Sequence, residues 1–263
     1  MENKFYNNQR TWGVEIEFKG NRHLAAIALR NEGINVQIEG YNHTDRNYWK
    51  IVMDGSAEWE LVSPPLSGEE GFRQLEIACK ALQAAGVKVD KSCGLHVHHG
   101  VNDLSVDNFK NLYKLYYKFE ETIDEFMPES RRANNNTYCK SMKGSYEMEK
   151  ILQAKTLMEL ENIYWDRYYK LNIQSYVKHG TIEFRQHNGT IEFDKISNWI
   201  KLTNMMVERS KVRTSLNERQ TATNKTNWDK MKNCLGIAFK NEVGKFYNGR
   251  IVHFQNRNNR ISA

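Results

Sequence analysis

Four short stretches carry the side chains most able to do chemistry: Glu15-Ile-Glu17, Asp54-Gly-Ser-Ala-Glu58-Trp-Glu60, His96-Val-His98 and Glu183-Phe-Arg185. Three of them alternate a charged or metal-binding residue with an apolar one. In a β-strand, every second side chain points to the same face. Several such strands would aim carboxylates, imidazoles and an arginine into one concavity. A lone E-x-E means little, because exposed strands often carry two solvated carboxylates; four such pairs beside apolar residues carry more weight.

Glu15 and Glu17 on one face would repel each other unless a cation intervened. The same holds for Asp54, Glu58 and Glu60. Burying several carboxylates without a counter-charge is costly, and a divalent metal is the simplest remedy. Oxygen-rich sites favour Mg²⁺ or Mn²⁺, and an added imidazole leans toward Mn²⁺. Zn²⁺ prefers fewer carboxylates and more Cys or His. His96 and His98 share a face, with His99 on the other. A core histidine is the default for either alone, and a ligand pair is the second reading. Arg185 beside Glu183 suits bidentate binding of phosphate; a plain Glu–Arg salt bridge on the sheet is the alternative. With no G-x-x-x-x-G-K-[ST] and no G-x-G-x-x-G in the chain, a nucleotide would be held through metal.

The elements that must position these residues follow from periodicity and turn residues. Strands are expected at Thr11–Lys19, Asn35–Gly40, Tyr48–Asp54, Ala57–Val62, Val87–Val89, Gly94–His99, Tyr169–Tyr176 and Gly180–His187, the last two joined by a turn at Lys178-His179-Gly180. Helices are expected at Arg22–Asn31, Gly71–Ala85 with a capping box from Ser67 and Glu70, Val106–Met127 capped by Ser105, Tyr146–Ile163, Lys195–Glu208 and Thr226–Asn241. The segment Asn248–Arg260 is polar enough for a loose tail. The expected fold is α+β: a curved, mostly antiparallel sheet with helices on one face and the other face free. The polar loop Glu129–Ser145 is long for a connection, and Arg131, Arg132, Lys140 and Tyr138 make it a candidate lid or binding element.

At 263 residues with three prolines, the chain is expected to form a single domain over 1–263. Its core would span about 11–209, with a basic helical extension at 210–263. The net charge of +6 is held by the C-terminal part, where 13 Lys and Arg from Lys201 onward face 4 Asp and Glu. Such a segment attracts polyanions, nucleic acid included; a solvated basic face is the plainer reading. The four cysteines form no C-x-x-C pair, so buried reduced thiols are expected rather than a disulfide framework. Neither a membrane span nor a signal peptide is expected, and the chain is placed in the cytoplasm.

The order G-x-E-x-E, D-G-S-x-E-x-E-L-V-S-P-P, C-G-L-H-V-H and T-I-E-F-R-Q-H-N-G-T, with Tyr168-Tyr-Lys-Leu-Asn172 before the last, resembles the amidoligase family. The resemblance runs from about Trp12 to Trp199. It implies the glutamine synthetase and γ-glutamylcysteine synthetase type of catalytic fold and ATP-dependent joining of a carboxylate to an amine. Small-molecule or peptide acids and amines would be the substrates. It further implies that Glu15 and Glu17 ligate different Mg²⁺ or Mn²⁺ ions, with Glu58 and Glu60 completing one site and His96 and Glu183 the other. By the same resemblance His98 lies near the ATP phosphates, Arg185 contacts the transferred phosphoryl group and Asp54 orients the amine. Arg132 and Lys140 are added as cofactor contacts from the polar loop. Two other readings stand beside it: a metal-dependent hydrolase or nuclease, and a non-catalytic binding protein on a ligase scaffold.

Overall fold

The computed structural model describes residues 3–55, 57–143, 145–164, 166–212, 226–238 and 240–261. In chain order the elements are β1 (Trp12–Phe18), α1 (Arg22–Asn31), β2 (Val36–Ile38), β3 (Trp49–Met53), β4 (Trp59–Val62), α2 (Gly68–Ala84), β5 (Gly94–Gly100) and α3 (Val106–Asp124). After a 3₁₀ turn at Glu129–Arg131 come α4 (Ser145–Gln153), α5 (Leu157–Ile163), β6 (Leu171–Asn172), α6 (Gln174–His179), β7 (Thr181–Asn188), α7 (Phe193–Ser210), α8 (Asn227–Cys234) and α9 (Glu242–Ile261). The chain divides into two compact units, one of residues 8–100 and 175–200, the other of residues 1–7, 101–174 and 201–263.

The unit of residues 8–100 and 175–200 is built on a sheet in the order β2-β3-β4-β1-β5-β7. The pairings are antiparallel except β2 with β3. Alternation along β1 explains the layering. Trp12, Val14, Ile16 and Phe18 are buried on one face, where Trp12 meets Phe72 of α2 at 5.1 Å between ring centroids. On the same face Phe184 stands edge-on to Trp199 of α7 at 6.4 Å. Each fully buried side chain of this size contributes roughly 1.5–3 kcal/mol. Gly13, Glu15 and Glu17 point the other way. Asn21 starts α1 by accepting the amides of His23 and Leu24, and Gly33, at φ +81°, supplies the left-handed residue after its end.

The second unit is mostly helical. Ser105 and Asn108 form a reciprocal capping box on α3. In its interior the ammonium of Lys170 meets Glu120 and Asp124, each at 2.9 Å, with no exposure of the Lys170 side chain. Cys79, Cys93 and Cys139 are buried and Cys234 half-buried, and all four are reduced. Among the described residues no helix is long and apolar enough to cross a membrane.

Several expected elements differ. The strand expected at Tyr169–Tyr176 is only β6, followed by α6. The Asn172 side chain accepts the Gln174 amide at 2.8 Å and starts the helix. Gly180, at φ +62°, donates to Tyr176 and ends it. The helix expected at Tyr146–Ile163 breaks into α4 and α5, because Thr156 accepts the Glu159 amide and caps a new start. Ser67 makes no side-chain cap bond; its expected partner Glu70 is taken by Arg73 and Gln74. Val87–Val89 contributes only the Lys19–Lys88 bridge. The helix expected to run on to Asn241 ends as α8, with Gly236 at φ +65°. The expected loose tail lies within α9, where Tyr247, Ile251 and Phe254 are buried at helical spacing and Tyr247 packs on Phe126 and Trp228. Of the basic extension from 210, residues 213–225 lie outside the described residues.

Candidate active site

Strand register brings the charged pairs together. Glu15 of β1 lies directly across from His96 of β5, and Glu17 from Glu60 of β4. His98 in turn faces Glu183 of β7. Directly opposed residues in a sheet share a face at short range, so these three cross-strand pairs form one polar surface on the side away from α2.

The contacts follow from that register. Nδ1 of His96 lies 3.0 Å from Glu15 Oε2, and its Nε2 lies 3.5 Å from Glu17 Oε1. His98 Nε2 is 3.3 Å from Glu15 Oε1 and 3.8 Å from Glu183 Oε1. The Gly94 amide donates to Glu17 at 2.6 Å. Arg185 donates to Glu183 from two residues further along β7. Glu17, His96, Glu183 and Arg185 are all buried, although ionisable side chains are seldom buried unless paired.

The charges are strongly perturbed. Burial pushes the Glu15 carboxyl up, but the charge on His98 and the hydrogen bond with His96 hold it well below the usual carboxylate range. Glu183 is also lowered: burial opposes ionisation, and Arg185 with His98 overcomes it. Glu60 goes the other way. Burial and the charges of Glu15, Glu17 and Asp54 drive it well above the usual range, with Arg185 only partly relieving it. His98 is raised because Glu15 and Glu183 outweigh its burial. A face on which neighbouring carboxylates oppose the ionisation of Glu60 is short of positive charge.

The donors fall into three groups, in each of which ligand atoms lie within 4.8 Å of one another: Glu15, His98 and Glu183; Glu15, Glu60 and His96; Glu17, Asp54 and Glu60. Nε2 of His98 is buried without a hydrogen-bond partner. Several carboxylates, an imidazole nitrogen without a hydrogen bond and a carboxyl whose ionisation is opposed by its neighbours together fit a divalent cation.

Not every expected residue falls in these three groups. Glu58 is exposed, and its Oε2 accepts the Gly20 amide at 3.0 Å; Asp54 stands in its place beside Glu17 and Glu60. Arg132 and Lys140 belong to the other compact unit. There Arg132 donates to the Met127 carbonyl at 2.8 Å and lies over the Phe254 ring. Lys140 pairs with Asp166.

Two features were missed in the sequence. Lys50 is buried, and its register opposite Val62, itself opposite Glu15, places it on the site face. Its ammonium is held at 2.8 Å by the Asn42 side chain and by the Thr44 carbonyl. A lysine between Trp49 and Ile51 was the signal. The second is a bulge: Leu95 pairs with His187 but Val97 with Phe184, so β7 carries one extra residue opposite His96. Bulges re-aim side chains. His187 therefore packs on Trp199 at 5.6 Å rather than joining Glu183 and Arg185.

Among solved structures, the crystal structure of the complex between prokaryotic ubiquitin-like protein Pup and its ligase PafA is similar to this chain at 13% identity and a TM-score of 0.37. The match covers 80% of this chain and 48% of that one, so the chain spans about half the length of the protein it matches. No curated protein matches it. A family model covers residues 8–207, a span that holds all four motifs and every residue of the polar face. The chain belongs to the family described as "Putative amidoligase enzyme".

Proposed function

We propose that the protein is an ATP-dependent ligase that joins a carboxylate to an amine at the polar face of β1, β4, β5 and β7. The observation that carries this reading is the convergence of Glu15, Glu17, Glu60, Asp54, Glu183, His96 and His98 in overlapping groups, with Arg185 bonded to Glu183, in an amidoligase chain. Mg²⁺ or Mn²⁺ would be held by Glu15, Glu60, His96, His98 and Glu183 on one side and by Glu17, Asp54 and Glu60 on the other. Bound there, the ions would neutralise phosphate charge and polarise the transferring phosphoryl group.

The residues divide the work. Arg185, buried and anchored by Glu183, offers a fixed cation to the phosphoryl group in flight. A carboxylate oxygen of the acid attacks the γ-phosphorus and ADP leaves. The amine nitrogen then attacks the acyl carbon and loses a proton, and phosphate departs with one oxygen of the former carboxylate. Preformed positive charge that needs no reorganisation is worth most at such a step.

The test is product analysis. Protein incubated with ATP and a small-molecule extract should release ADP and phosphate together with a species weighing acid plus amine less water. Release of ADP that needs no acid or amine, or degradation of nucleic acid without ATP, would overturn the reading.

A further inference from the structure

An imidazole binds a cation through a nitrogen that has no proton, so the other nitrogen must carry one and needs an acceptor for it. Nδ1 of His98 has such a partner, the Thr181 hydroxyl at 3.0 Å. Nε2 of the same ring points between Glu15 and Glu183 and is buried without a hydrogen bond. Thr181 is well placed for this role. It precedes Glu183 by two residues on β7, so both side chains share the site face, and its register partner is Gly100, which has no side chain to intervene. The strand is anchored there, since the Ser175 hydroxyl donates to the Thr181 carbonyl at 2.8 Å.

We propose that Thr181 is a positioning residue. Its hydroxyl accepts the Nδ1 proton of His98 and fixes the tautomer whose Nε2 lone pair enters the Glu15–Glu183 group. That position then takes a divalent ion with some affinity for nitrogen, Mn²⁺ ahead of Mg²⁺. The group of Glu17, Asp54 and Glu60 offers oxygen alone and suits Mg²⁺. The two positions are therefore chemically unequal. This inference rests on the metal reading above.

Pulsed electron paramagnetic resonance of the full chain loaded with Mn²⁺ tests it, because a directly bound imidazole nitrogen couples to the electron spin. The unsubstituted protein should show that coupling, and His98→Ala should remove His98's share of it. Thr181→Val keeps the branched shape but lacks the hydroxyl. It should reduce the coupling and weaken Mn²⁺ binding about 10- to 100-fold, while Mg²⁺ binding at the oxygen-only group changes little. Thr181→Ser should restore both, and Thr181→Ala serves as a second hydroxyl-free variant. Unchanged coupling and affinity in Thr181→Val and Thr181→Ala would overturn the role of Thr181 and leave the metal reading standing. No nitrogen coupling in the unsubstituted protein would overturn the ligation by His98 itself. ADP release by the same preparation judges the ligase reading separately.

Discussion

Arg185 and Glu60 concentrate the chemistry at the scale of single residues. Losing one preorganised contact to developing charge commonly costs on the order of 10²–10³ in rate. Arg185→Ala should therefore lower kcat by about that factor while weakening ATP binding far less. Arg185→Lys should rescue little, because lysine lacks the planar fork; a lysine variant near full activity would remove the arginine from phosphoryl transfer. Glu60 is expected to act on stability as well. Its folded-state pKa is raised, so the folded protein binds more protons than the unfolded chain above the ordinary carboxylate pKa. Stability is therefore lost as pH rises toward the folded value. Without metal at neutral pH, Glu60→Gln should melt higher than the unsubstituted protein, and it should lose most of the stabilisation that Mg²⁺ or Mn²⁺ confers. Equal melting temperatures in a metal-free scan would contradict that charge balance. The motifs made these residues legible, because alternation alone predicts which side chains share a face. The exchange of Glu58 for Asp54 was not legible: it depends on the Gly20 amide capturing Glu58, and nothing local in the sequence announces that contact.

At the scale of elements, the segment between β2 and β3 is pinned from both ends. Glu39 accepts hydrogen bonds from Arg46, Tyr48 and Asn42, and Lys50 holds Asn42 and Thr44 from the site face. The Arg46 bond is the main cause that lowers Glu39 from 4.5 to about 2. A depressed carboxyl stabilises fully above its unfolded pKa, and that contribution is lost as pH falls from about 4.5 toward 2. Glu39→Gln should thus flatten this part of the acid limb in melting curves taken across pH; an unchanged limb would mean the segment is held by other contacts. In the helical unit, Lys170→Ala would leave Glu120 and Asp124 without their buried cation. A loss of about 3–5 kcal/mol in denaturant unfolding is expected, whereas less than 1 kcal/mol would show the pair to be hydrated. Strands with strict alternation, such as β1 and β5, were readable to within a residue or two. α6 was not, since six residues starting at Gln174 carry too short a period to separate helix from strand, and the Asn172 bond that starts it is a side-chain event. The division of α4 from α5 likewise turns on Thr156, an ordinary polar residue until its hydroxyl finds the Glu159 amide.

For the molecule as a whole, the α+β class and the polar sheet face follow from pattern, because alternation sends the charged residues of each strand to one face and the apolar residues to the other, which must be buried. The C-terminal helix α9 did not follow from pattern. Its polar composition suggests solvent, yet Tyr247, Ile251 and Phe254 fall on one buried stripe, and packing rather than propensity makes the helix. The central claim is that this face activates a carboxylate as an acyl phosphate. The acid identified by product analysis, labelled with oxygen-18 in its carboxylate, tests that claim directly. One labelled oxygen should appear in the phosphate released with ADP, and Arg185→Ala should slow its appearance in step with product. Label retained wholly in the acid and amide, or release of AMP and pyrophosphate in place of ADP and phosphate, would contradict it.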